Sequence, residues 1–358
     1  MRNKIQSLFI KICCLFLLLI NSCRFTSREV NFSSFPNELT LKGTPIEINE
    51  SFKGCIMYNY DSLLILTSIR GSDNQIYIYD ARTFKYLATA GKIGRGPGEI
   101  SSVSYAILDD KNGYIFYQDM ARHLIWKFEI DSILKNACYL PKMSIPIPKV
   151  VALIYFDVYN DKLFSFLSNK PGKLISFFDN NGNTIDSIDI ADKINLYDPS
   201  KISFESKNYM AYYFYAINNS KKRIAIVYTR SDVIVFLDMN GNILKRVYGP
   251  GKTNQIPNYY DQNQIITTTF IKSDDDFIYC LYKNKLPFDK KTGMFSTYAN
   301  ELNIFNWEGD PLAKLVFDHP VQTFTTSREN NKIITYAPDI DELVEYDFQF
   351  DMTKYKDR

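Results

Sequence analysis

The stretch Gln75-Ile76-Tyr77-Ile78-Tyr79-Asp80 decides the fold, because the chain writes the same pattern six times. The other copies are HLIWKFEID (123–131), KLISFFD (173–179), DVIVFLD (232–238), ELNIFNWEG (301–309) and ELVEYDF (342–348). Each is a short run of β-branched and aromatic residues that ends in or near an acid, and such runs read as strands. Two further apolar runs precede each copy, and another follows most of them. Repeats of 40–60 residues with several strands each specify a β-propeller. First strands are expected near residues 53, 102, 151, 211, 266 and 321, which makes an all-β, six-bladed propeller of four-stranded antiparallel blades.

Working outward, the first and second strands of each unit flank a polar turn: Tyr60-Asp61-Ser62, Asp109 to Gly113, Asn160-Asp161, Asn218 to Lys222, Asp274-Asp275-Asp276 and Glu329 to Lys332. The third and fourth strands flank Asn181-Gly182, Asn240-Gly241 or Glu308-Gly309-Asp310, which are dipeptides and tripeptides that accept positive φ. Tyr and Phe, 26 of each, suit the wedge between neighbouring sheets. The sixth unit ends after its third strand. A spare strand, Thr44 to Asn49, precedes the first unit and is expected to complete the last blade and close the ring, which removes an exposed edge.

The N-terminus reads as an export signal. Arg2, Lys4 and Lys11 lead into the apolar Ile12 to Ile20, too short for a comfortable membrane span. Ile20-Asn21-Ser22-Cys23 has the form of a lipobox, so residues 1–22 are expected to be a lipoprotein signal peptide, Cys23 the lipidated residue, 23–38 a polar tether and 39–358 one propeller domain. Without the signal, 39 basic residues face 40 acidic ones, a balance that argues against nucleic acid as a partner. Cys55, Cys138 and Cys280 lie in expected strands with no metal-ligand spacing and read as buried thiols.

The pattern over residues 39–350 resembles the six-bladed propeller lipoproteins of Bacteroidota, a TolB-like or NHL-like group. Its most specific piece is Gly91-Lys92-Ile93-Gly94-Arg95-Gly96-Pro97-Gly98-Glu99, which looks like that group's glycine-rich loop after the first blade. The resemblance implies fold and a lipid-anchored address in the cell envelope, most simply the outer membrane, more than it implies chemistry. The run after Cys23 lacks the acidic cluster that resembles a surface-export signal, so the periplasmic side stands level with the surface.

Strand parity separates two faces. The turns that join first to second and third to fourth strands share one, and most are tight. The other face holds the long connections 91–101, 191–210, 249–265 and 284–299, and long loops on a rigid scaffold are where binding concentrates. Basic residues recur there: Arg70, Arg122, Lys170 and Arg230 at the turns, Lys92, Arg95 and Lys252 on the loops. Gly249-Pro250-Gly251 echoes Gly96-Pro97-Gly98. Glycine-rich loops can offer backbone N–H groups to an anion, and Arg adds paired donors. Candidate ligand-binding residues are therefore Arg70, Lys92, Arg95, Glu99, Arg122, His123, Arg230, Lys252 and His319, with an acidic glycan, peptide or surface polymer as the expected ligand class.

Catalytic motifs do not accompany the two histidines, His123 and His319: the chain contains no GxSxG, HExxH or phosphate-binding loop. The expected role is a non-catalytic binding or scaffold module for a protein, peptide or glycan partner, with the membrane reached through the lipid alone and no cofactor. The alternative is an extracytoplasmic propeller hydrolase or lyase, in which Ca²⁺ would need converging oxygen ligands. The nearest carboxylates and amides, Asp109, Asp157 and Asn218, fall at the tight-turn face.

Overall fold

The computed structural model describes residues 28–48, 50, 52, 54–102, 104–147, 151–159, 162–168, 173–189, 213–252, 263–289, 294–327 and 331–348. The expected signal peptide, Cys23, Lys170 and the 191–210 loop lie outside them, as does most of 249–265.

Among the described residues the strands form six sheets of four or five strands and one two-stranded ribbon, in an all-β propeller. The first sheet holds Ile56–Tyr60, Leu63–Thr67, Asn74–Asp80 and Tyr86–Lys92. The second holds Ala106–Asp109, Tyr114–Asp119, Leu124–Glu129 and Met143–Pro146. The third holds Val151–Tyr159, Lys162–Ser168, Lys173–Phe178 and Thr184–Asp189. The fourth holds Tyr213–Asn218, Arg223–Tyr228, Val233–Asp238 and Ile243–Tyr248. The fifth holds Ile266–Ser273, Phe277–Lys285, Ala299–Asn306 and Pro311–Val321. The sixth holds Thr323–Ser327, Lys332–Ala337, Glu342–Asp347 and, as its outer member, Thr44–Ile46. That last strand pairs antiparallel with its neighbour, Ile46 facing Leu343 and Thr44 facing Glu345.

Burial follows from the alternation. Strands such as Val233–Asp238 are covered on both faces, and each buried cluster bridges two sheets that follow one another in the chain. Ile65, Ile76 and Tyr117 join the first and second. Phe116, Phe156 and Phe178 join the second and third, and Phe177 and Val235 the third and fourth. Phe236 and Trp307 join the fourth and fifth, and Leu302 and Val344 the fifth and sixth. Met57, Leu66, Ile334 and Leu343 join the sixth back to the first.

The turns between third and fourth strands in the third and fourth sheets are built by one device. Asp179 Oδ1 accepts from the backbone N–H of Asn181 (2.9 Å) and Asn183 (2.8 Å), and Asp238 Oδ1 accepts from Asn240 (2.9 Å) and Asn242 (2.8 Å). Gly182 and Gly241 follow at φ 77° and 76°, where the missing Cβ removes the steric cost.

Three features depart from the sequence reading. The connection after Leu124–Glu129 carries a helical turn, Ile130–Lys135, that buries Ile130 and Ile133. Cys138 sits in a turn beyond it and is exposed, whereas Cys55 and Cys280 are buried; burial pushes the Cys55 thiol up to about 12. The segment assigned to a tether reaches the fold from Arg28 onward. Arg28–Asn31 adds parallel to Ile243–Tyr248, and Glu38–Leu41 adds parallel to Pro311–Val321. Phe32 and Phe35 pack edge-to-face on Phe305 at 5.6 and 5.4 Å. The sequence of this strap is polar at alternate positions because only one side of an outer strand meets protein.

Side chains of the first strands fill the centre. Phe270 meets Phe214 at 6.4 Å and Phe324 at 5.8 Å. Lys272 of the fifth sheet donates from Nζ to Met57 O of the first (2.8 Å) and lies 3.5 Å from the Tyr58 ring centroid. Desolvation lowers the Lys272 ammonium to about 7, opposed by the charge of Asp157, whose carboxyl desolvation raises to about 6. Both residues are half-buried. The unfolded state holds the lysine proton up to pH ~10.5 while the folded state releases it near pH 7, so stability should rise with pH across that window. Between about 4 and 6 the sign reverses, because folded Asp157 retains a proton that the unfolded chain gives up. In urea titrations at pH 7 and 9, wild type should gain about 1–3 kcal/mol and Lys272→Met should gain little. An identical rise in the variant would remove Lys272 as its source.

Candidate functional site

The loop-rich face opens into a cleft of about 630 Å³. Its walls come from the insertion after Phe277–Lys285 and from the segments beside it, and include Tyr282, Lys283, Lys285, Leu286, Tyr298 and Glu301. The insertion is braced from within. Its ribbon pairs Phe288 with Phe295, Ser296 N donates to Pro287 O (2.7 Å), and Lys283 Nζ donates to Ser296 O (2.6 Å). Desolvation, and then the charge of Lys285, lower the Lys283 ammonium below its ordinary range. Tyr282 links the cleft to the fourth sheet: its hydroxyl donates to Asp232 Oδ2 (2.9 Å), which also accepts from Gly251 N (3.1 Å). A side chain at Gly251 would meet the Tyr282 hydroxyl at 2.6 Å, so glycine is needed for this approach. Burial holds the Asp232 carboxyl above its ordinary value, against the backbone N–H of Gly251 and the Tyr282 hydroxyl. Two of the long connections therefore meet here, 249–252 and 284–299.

The expected ligand residues have separate places. Glu99 turns into its own glycine loop and accepts from Gly96 N (2.7 Å), with Lys92 Nζ 3.4 Å away. The Gly96 N–H lowers the Glu99 carboxyl first, followed by Lys92. Arg122 caps the same loop from outside, donating to the carbonyls of Glu99 (2.7 Å), Gly96 (3.3 Å) and Gly94 (3.3 Å). Asp119 Oδ2 completes the joint by accepting from Ser101 N (2.9 Å). Arg230 is buried and donates to Gln264 O (2.7 Å). Lys252 lies 3.8 Å over the Tyr248 ring. Arg70, Arg95 and His123 are exposed, His123 at φ 53° in its turn. His319 Nδ1 is 3.0 Å from Asp339 Oδ2, a bond that raises the imidazolium's pKa. Both glycine loops thus receive a carboxylate from this chain, Glu99 in one and Asp232 in the other, at the N–H groups expected to meet a ligand.

The loop 91–101 gives a direct test of that assignment. Arg122→Ala should destabilise by about 1.5–3 kcal/mol, the range for hydrogen bonds to charged groups. Amide exchange should accelerate at Gly94, Gly96 and Ile100 before it does in the strands. Unchanged protection there would mean the loop holds without the guanidinium.

Sequence reasoning missed Tyr282, Lys283, Lys285 and Tyr298. Three of them belong to the strand Phe277–Lys285 and read as ordinary strand residues; only the length of the insertion marked the place. Among the described residues no three His, Cys, Asp or Glu side chains are grouped to share a metal ion, and no helix is long and apolar enough to cross a membrane.

A family model described as TolB-like 6-blade propeller-like matches residues 54–329. Solved structures share the fold. A Bacteroides fragilis protein inferred to be exported superposes with a TM-score of 0.54 at 10% identity, over 89% of this chain and 98% of its own. A DUF4221 family member from Bacteroides vulgatus superposes with a TM-score of 0.56 at 10% identity, over 86% of this chain and 96% of its own. No curated protein matches the sequence.

Proposed function

This chain belongs to the TolB-like 6-blade propeller-like family, and we propose that it is a six-bladed, lipid-anchored binding scaffold of the bacterial envelope. It holds a protein, peptide or glycan partner on its loop-rich face. The six sheets and the buried clusters that run from each to the next, and from the last to the first, support the blade count. The lipobox before Cys23, and the inferred export of the Bacteroides fragilis neighbour, support the address. The observation that carries the function is the cleft at the 284–299 insertion. Its tyrosines and prolines offer flat apolar walls and its lysines offer charge, which suits a partner with an apolar or sugar face beside a carboxylate.

The test is site-specific photocrosslinking in cells of the native host. A photoreactive residue at Leu286, beside the cleft, should give a discrete adduct, and one at Asn219, on the tight-turn face, should not. Adducts from Asn219 alone, or from neither position, would overturn the proposal.

A further inference from the structure

The two strands of the N-terminal strap and the closing strand that follows them share one direction. Arg28–Asn31 runs parallel to Ile243–Tyr248, with Arg28 opposite Lys245 and Asn31 opposite Tyr248. Ile243–Tyr248 leaves the tight turn at Asn240-Gly241 and runs toward the glycine loop at Gly249. The strap therefore enters the fold at the tight-turn face and runs toward the loop-rich one. It is held there by paired contacts: Arg246 lies 3.9 Å from Glu29, Tyr248 donates to Glu29 (3.2 Å), and Lys314 lies 2.9 Å from Glu38. Phe32 and Phe35 then lock it against Phe305.

From this we infer that the strap sets the orientation of the propeller on its membrane, with the tight-turn face toward the bilayer and the loop-rich face away from it. The inference rests on the anchored reading above. Cys23 stands five residues before Arg28, a reach of at most about 18 Å at ~3.3–3.6 Å per residue. The four residues of the first strap strand climb about 10–13 Å up the sheet edge, and the connections at 249–252 and 284–299 stand beyond that. With the strap paired, a lipid at Cys23 is attached nearest the tight-turn face, and to draw the far face onto the membrane the five residues would have to double back, fully extended, along the whole strand and past the connections beyond it. The cleft is thereby presented outward, to a partner that comes from solution or from another surface.

The experiment uses the full lipidated chain on vesicles of phosphatidylethanolamine and phosphatidylglycerol with an acceptor-labelled lipid. The exposed native thiol is removed by Cys138→Ser, and donors are placed singly at Asn219→Cys and Lys252→Cys, on opposite faces of the fourth sheet. Flotation with the vesicles, lost in Cys23→Ala, reports the anchor. Donor emission reports the orientation, with a larger loss expected at position 219 than at 252. A flexible Gly-Ser insertion of about twenty residues after Ser27, several times the native reach, should shrink that difference while flotation persists. Flotation with an equal or larger loss at 252 would overturn the orientation and leave the anchor standing. No flotation would overturn the anchored reading, and the orientation with it.

Discussion

A chain that begins at residue 48 should lose its fold, or survive only as an aggregating species. Such a chain lacks Ile46, buried between the sixth and first sheets, and Leu41, buried between the fifth and sixth. It also lacks the strand that covers Glu342–Asp347, and with it both parallel additions to the fourth and fifth sheets. The two aliphatic side chains alone contribute about 3–6 kcal/mol. The uncovered edge adds a kinetic penalty, because a row of unpaired N–H and C=O groups templates association. The total is comparable with the whole stability of a typical domain, about 5–15 kcal/mol. A chain that begins at residue 36 is the informative intermediate. It keeps the closing strand and loses Arg28–Asn31, Phe32 and Phe35, so it should stay folded and unfold about 2–4 kcal/mol sooner than the chain from residue 24. Soluble yield and urea midpoints decide the matter. Equal midpoints for starts at 24, 36 and 48 would show that the strap is incidental to the fold.

Trp307→Ala should cost about 3–5 kcal/mol, the range for removing a large aromatic from a packed interior. Trp307 is fully buried between the fourth and fifth sheets and shares its cluster with Phe236, Ile278 and Phe305. Its Nε1 donates to Asp274 O (2.8 Å), the carbonyl at the head of a tight turn. Trp307→Phe separates the two contributions. It keeps most of the apolar volume and leaves one part-buried carbonyl without its indole donor, so its cost should be about 1–3 kcal/mol. Urea unfolding of both variants measures the split. If the two cost the same, the hydrogen bond rather than the packing is what Trp307 provides.

Much of the fold was legible because its determinants are short-range. A period of two over six residues marks a strand, and Asn181-Gly182 or Asn240-Gly241 marks the turn that follows. Recurrence of the whole unit then specifies the propeller. The closing strand was legible for a related reason: a sixth unit that ends after its third strand needs a partner, and Thr44–Ile46 supplies it. The strap before it was not legible. Its parallel pairing depends on which sheet edges lie open beside it, and nothing within residues 28–41 records that. Cys138 failed similarly, because a helical turn of six residues, Ile130–Lys135, displaced the strand expected around it.

The candidate site divides along the same line. Which loops are long, and that they share a face, follow from counting strands. What their charged groups touch does not. Arg122 reads as a ligand donor until its guanidinium is found on the carbonyls of Gly94, Gly96 and Glu99. Glu99 reads the same way until its carboxylate is found on Gly96 N. The cleft needed Tyr282 to meet Asp232, 50 positions away in the chain.

The sequence by itself determined the strands, their turns, the repeat that makes a propeller and the face on which its long loops collect, because these depend on residues within a few positions of one another. The tertiary structure alone decided the direction of the strap, the internal occupants of the two glycine loops, the walls of the cleft and the reach of Lys272 to Met57 across 215 positions. Each of these is a relation between groups that only the closed arrangement of sheets brings within hydrogen-bonding or van der Waals distance.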